Sequence, residues 1–74
     1  MNFDFGNRIK SLRLSRSMTQ EQLAQKLGVS AQAVSRWETG ATYPDITMLP
    51  MIADFFDVSM DYIMGRTENP EINK

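Results

Sequence analysis

The stretch Thr19–Gly40, TQEQLAQKLGVSAQAVSRWETG, decides how the chain is read. Thr19 is followed three residues later by Gln22, the spacing at which a hydroxyl and an amide cap a helix start reciprocally. Met18 before the cap and Leu23 inside the helix supply a hydrophobic staple. Leu23, Ala24 and Leu27 then share one helical face, and Gly28 offers the positive φ at which a helix can end without Cβ strain. The same grammar repeats at once. Ser30 is the next cap, Val29 can staple to Val34, a helix fits Ala31 to Glu38 or Thr39, and Gly40 ends it. Two short helices joined by a tight turn are the result.

The second of these helices divides by face. At about 100° per residue, Ala31, Gln32, Ser35 and Arg36 fall within an arc of about 140°. Ala33, Val34 and Trp37 occupy the other side. The helix thus has an apolar back and a front bearing an amide, a guanidinium, a hydroxyl and a methyl. Those groups suit base edges in a DNA major groove: glutamine pairs bidentately with adenine, arginine with guanine, and a methyl meets thymine. Ala24 is small enough to let the helices cross closely, Gly28 permits the sharp turn, and Leu23, Leu27, Val29, Val34 and Trp37 hold the angle.

Outward from this stretch the rest reads as scaffold. A first helix spans Asp4 to Ser15, with Phe5, Ile9 and Leu12 as its stripe and Leu14 exposed on the far side. Beyond Gly40, the loop Ala41 to Pro44 leads to Asp45 as a cap and a helix from Ile46 to about Phe56, buried through Leu49, Ile52, Ala53 and Phe56. Pro50 conflicts with a helix interior and is tolerated only near its start. Ser59 caps a short helix from Met60 to Met64, with Val58 stapled to Ile63 and Gly65 closing it. The expected fold is all-α, a compact five-helix bundle over residues 1–65, followed by a polar, aperiodic and flexible tail over 66–74.

With 74 residues, no cysteine and no histidine, the chain has no disulfide and no Cys/His metal set, so stability must come from helix packing. No apolar run approaches the roughly 20 residues of a membrane span, and a cytoplasmic location is expected. No enzyme is expected either, because the acids sit at helix starts and on exposed faces where capping accounts for them. Net charge is −1, yet it is unevenly spread. Residues 1–40 hold Arg8, Lys10, Arg13, Arg16, Lys26 and Arg36 against Asp4, Glu21 and Glu38. The acids Asp45, Asp54, Asp57, Asp61, Glu68 and Glu71 lie beyond Gly40, opposed only by Arg66 and Lys74. One face toward phosphate and one away from it is the expected arrangement.

From Thr19 to Gly40, and then through PDI, LPMIADFFDVS and MDYIMG, the sequence resembles the phage repressor/Cro-like family of helix-turn-helix regulators, the xenobiotic-response-element type, over roughly residues 5–65. The resemblance implies a lambda-repressor-like DNA-binding domain, mostly dimeric, whose third helix enters the major groove. It implies that Ala31, Gln32, Ser35 and Arg36 face base edges. Thr19, Gln20, Ser30 and Thr39 would lie near backbone phosphates, and Gln20 would brace Gln32. Arg13 would pair with Glu38 and share its guanidinium with a phosphate. Tyr43 either reaches a phosphate or packs beside Trp37. Met48 and Met64 are expected to fill the core, with Met64 also a candidate beside Met60 for a two-fold contact.

The function implied is transcriptional regulation by a dimeric repressor on an inverted repeat of double-stranded DNA, without cofactor, metal or small-molecule ligand. A protein-interaction module, such as the antitoxin of a toxin–antitoxin pair, uses the same fold. The polar front of the third helix favours DNA.

Overall fold

Helix boundaries in this chain are set by caps. A computed structural model describes residues 4–71; the first three residues of the expected domain and the last three of the expected tail lie outside that range. The five helices are α1 (Phe5–Ser15), α2 (Gln20–Leu27), α3 (Ala31–Thr39), α4 (Leu49–Phe56) and α5 (Met60–Ile63), with no strand among the described residues. The capping box at α2 is complete. Thr19 Oγ1 accepts from the Gln22 N–H at 3.0 Å, and Gln22 Oε1 accepts from the Thr19 N–H at 2.9 Å. Ser30 caps α3 through the Ala33 N–H at 3.1 Å, and Ser59 caps α5 through the Tyr62 N–H at 3.0 Å.

Left-handed residues end the helices. Gly28 (φ +74°) and Gly40 (φ +84°) follow α2 and α3, and the next N–H groups close back on the Ala24 and Arg36 carbonyls, each at 3.0 Å. Two further stops use residues with a Cβ: Ser17 (φ +56°) after α1 and Asp57 (φ +57°) after α4. The N–H groups of Met18 and Val58 make the same closing bonds, at 3.1 and 3.0 Å.

The expected helix from Ile46 is instead two pieces. Ile46–Met48 forms a 3-10 turn, and α4 starts at Leu49 with Pro50 in its first turn. There the missing proline N–H is one that a helix leaves unpaired in any case. Asp45 does not cap with its side chain; only its carbonyl is used, by the Met48 N–H at 2.8 Å. The stripe of α1 also shifts: Arg13 is buried and Leu12 only partly so.

One core joins the elements. Phe5 and Ile9, Leu23, Ala24 and Leu27, Val34 and Trp37, Leu49, Ile52, Ala53 and Phe56, with Val58 and Ile63, form a continuous buried cluster. Met18, Val29, Met48 and Met64 pack on its edge. α3 rests on both α2 and α1, and α1 comes closest at Gly6. A Cβ there would stand 2.7 Å from the Trp37 carbonyl oxygen and 2.8 Å from that of Glu38. Backbone oxygens cannot yield as a side chain would. Gly6→Ala should therefore lower stability by about 1–3 kcal/mol, although alanine favours helices by about 1 kcal/mol; urea unfolding reads the sign. Asp57→Gly should raise the urea midpoint, worth roughly 0.5–1 kcal/mol, by relieving the left-handed Cβ.

Candidate nucleic-acid interface

α3 is held from behind by Val34 and Trp37, both buried. The Trp37 ring meets Phe5 edge-on, with centroids 6.3 Å apart. On the opposite side Gln32 and Arg36 are exposed, and neither side chain has a partner among the described residues. Ala31 and Ser35 are half-buried, and the Ala31 methyl packs on the edge of the core. The front of the helix is therefore narrower than its residue types suggest: two long polar side chains reach outward between two short ones.

Around this front lie groups able to hold an anion. Thr19 and Ser30 each accept one N–H and retain a hydroxyl proton to donate. The N–H groups of Gln20 and Glu21 at the start of α2, and of Ala31 and Gln32 at the start of α3, have no partner among the described residues. Helix starts of this kind favour phosphate through the aligned peptide dipoles.

A buried polar cluster ties the front to the scaffold. Arg13 Nε donates to Glu38 Oε2 at 2.6 Å and its Nη2 to Oε1 at 3.0 Å, a bidentate pair. Arg13 Nη1 donates to the Met18 carbonyl at 2.7 Å, and Gln20 Nε2 donates to Glu38 Oε1 at 3.0 Å. The two charged side chains are 10% and 3% exposed. Glu38 raises the Arg13 pKa above its ordinary value, with burial opposing it. Arg13 is 8% exposed and makes the expected pair with Glu38, each of its three nitrogens donating one bond to Glu38 or the Met18 carbonyl. Gln20 turns its amide to Glu38 rather than bracing Gln32.

The remaining sequence-predicted residues divide. Thr39 lies exposed at the end of α3, its hydroxyl donating to the Arg36 carbonyl at 3.1 Å. Tyr43 is half exposed and packs edge-on against Phe5 at 6.3 Å. Met60 is exposed, whereas Met64 packs on the core. The basic half of the chain is also less available than its composition implies. Arg8 is bound by Glu68 at 2.9 Å. Arg16 donates to the Phe55 carbonyl at 3.1 Å and lies over the Phe55 and Phe56 rings. Lys10, Lys26 and Arg36 are left without partners among the described residues. Nothing in the sequence pattern marks Arg16 as different from Lys26, because its partners lie 39 positions away. No cluster of metal-ligating residues occurs among the described residues, and no helix there is long and apolar enough to cross a membrane.

A bundle in which two capped helices and a tight turn present a polar helix front is a helix-turn-helix domain. The chain belongs to the helix-turn-helix family of transcriptional regulators, whose model matches residues 9–63. It is similar to the HTH-type transcriptional activator BcrR of Enterococcus faecalis, 40% identical over 65 residues, 88% of this chain and 32% of that protein. The HTH-type transcriptional regulator MJ0272 of Methanocaldococcus jannaschii is 40% identical over 57 residues, 77% of this chain and 86% of that one. Among solved structures, the P22 c2 repressor in complex with a synthetic operator matches with a TM-score of 0.80 and 28% identity, covering 90% of this chain and 100% of that one. The chain spans 32%, 57% and 59% of the length of three curated relatives it matches.

Glu38→Ala leaves the Arg13 guanidinium buried without its carboxylate. Unfolding in urea should show a loss of about 3–5 kcal/mol, the cost of stranding one member of a buried pair. Gln20→Ala, which leaves the pair intact, should lose no more than about 1.5 kcal/mol.

Proposed function

We propose that this domain binds double-stranded DNA sequence-specifically as a bacterial or phage regulator of the Cro/repressor type. In this reading α3 lies in the major groove and two copies occupy an inverted repeat. The observation that carries it is the front of α3: Gln32 and Arg36 project without partners from a helix fixed behind by Val34 and Trp37. Base edges reward such pre-placed side chains, because no internal bond must be broken before the base is met. The free N–H groups at the starts of α2 and α3, with Thr19 and Ser30 beside them, would grip the phosphates on either side.

The likeness to the P22 c2 repressor, solved with a synthetic operator, and to PlcR of Bacillus thuringiensis, solved with DNA and a peptide at 32% identity, supports this reading. The extents of the domain, 30 × 24 × 22 Å, are compatible with two copies side by side on major-groove faces about 34–36 Å apart, with exposed Met60 on α5 as the contact between them. Both an activator and a repressor, the cryptic phage repressor RstR of Vibrio cholerae, occur among the relatives. Repression is the proposed mode, supported by the likeness to RstR and to the P22 c2 repressor. The site of action is the cytoplasm, and the reading requires no cofactor, metal or small-molecule ligand.

Selection of bound sequences from a random duplex pool should return two half-sites related by a two-fold axis. A pool with no enriched sequence would overturn the DNA reading in favour of a protein-interaction module. On the selected site, Gln32→Ala and Arg36→Ala should each cost about 1–3 kcal/mol and relax preference at one base pair per half-site. Equal weakening on selected and random duplexes would assign these two residues to phosphate instead.

A further inference from the structure

α5 is four residues long, too short to hold itself as a helix, and only Ile63 within it is buried. Its support comes from elsewhere. Arg8 of α1 lies 4.3 Å from the centroid of the Tyr62 ring and donates to Glu68 at 2.9 Å. One arginine therefore joins α1, α5 and the segment that follows α5. After Gly65 (φ +76°) the chain doubles back. The Arg66 N–H donates to the Asp61 carbonyl at 2.8 Å, and the Ser59 N–H donates to the Pro70 carbonyl at 2.9 Å. Since Ser59 is the cap of α5, the returning segment touches both ends of that helix. Two local bonds, Asn69 N–H to Thr67 Oγ1 and Glu71 N–H to Asn69 Oδ1, each 3.1 Å, set its bends. Residues 66–71 are thus bonded at both ends of α5 and to Arg8 of α1.

The anchor and the latch differ in exposure. The Arg8 side chain is 13% exposed and the Glu68 side chain 93%. Glu68 can be drawn away by salt while Arg8 stays stacked on Tyr62. Met60, the exposed residue of the self-contact surface, opens the same four-residue helix. A helix of one turn that loses its outer support frays, and the residues on it lose their fixed position.

We propose that residues 66–71 form a strap that clamps α5 against α1 and thereby fixes the Met60 surface through which two copies meet on DNA. The second half of this rests on the DNA-binding reading; the clamp itself does not.

Hydrogen exchange on the full chain separates the two. The Ile63 and Met64 N–H groups bond the Ser59 and Met60 carbonyls at 3.1 and 2.9 Å and report α5 directly. Glu68→Lys, which faces Arg8 with a like charge, should speed exchange at these two amides about fivefold, and Glu68→Gln about twofold. The amides of Val34 and Ile52 should not change. Binding of the lysine variant to a duplex with two half-sites should weaken at least about threefold, with no change on a single half-site. Unchanged α5 exchange, or equal acceleration at every amide, would overturn the strap. Faster α5 exchange with unaltered two-site binding would overturn its role in fixing that surface. If the unaltered protein showed no sequence preference, the DNA reading and that role would both fall, and the exchange pattern alone would decide the clamp.

Discussion

Arg13, Gln20, Glu38 and the Met18 carbonyl form one hydrogen-bonded cluster, and the placement of α3 depends on it. Arg13 brings α1, its bond to the Met18 carbonyl brings the first loop, Gln20 brings the start of α2, and Glu38 is the last turn of α3. Apolar contacts tolerate small rotations, because dispersion and burial have no fixed direction. A bidentate guanidinium–carboxylate pair does not, since both of its bonds must align together. Taking two charges out of water is costly, so the pair adds little net stability compared with an apolar substitute. Its contribution is to orientation. Every lone donor or acceptor that a rotated α3 would create there is buried, and no such orphan occurs among the described residues.

The apolar core and the polar cluster therefore divide the task. Val34 and Trp37 supply the attraction that keeps α3 on α1 and α2. The approach at Gly6 sets how near α1 may come, and Glu38 sets the rotation. With the back of the helix so constrained, Gln32 and Arg36 need no support of their own. They stand free because residues one turn away do not.

What was legible in the sequence was local. Thr19 with Gln22, Ser30, Gly28 and Gly40 are read correctly because a cap involves residues three to six apart, within one window of the chain. The same logic fails where a residue plays glycine's part without being glycine. Ser17 and Asp57 take left-handed φ; aspartate enters that region more readily than most residues, but neither type singles out the position. Asp45 and Ile46 look like a cap and a first turn, whereas Pro50 allows the regular helix only from Leu49. The strap is illegible for a different reason. Its bonds join Glu68 to Arg8 and Pro70 to Ser59, and a polar segment without periodicity carries no mark of distant partners. Ala31 belongs to the front by its angle, yet it also packs against the core edge, which an angular projection of one helix cannot show.

The intramolecular pairing of Arg8, Arg13 and Arg16 bears on how such a protein would move among sites. Affinity for DNA of any sequence grows with the number of phosphates a protein neutralises, through release of the condensed counterions. Here only Lys10, Lys26 and Arg36 in the first half of the chain are left without partners among the described residues. Were all three set against phosphates, the logarithm of affinity would fall with that of salt by a slope of only about −2.7 per copy. On the proposed DNA-binding reading, such a copy would dwell briefly on arbitrary sequence, with little of it sequestered along the chromosome. Search would then proceed mostly through solution, by repeated short landings, and residence would be conferred by the match between base pairs and two side chains.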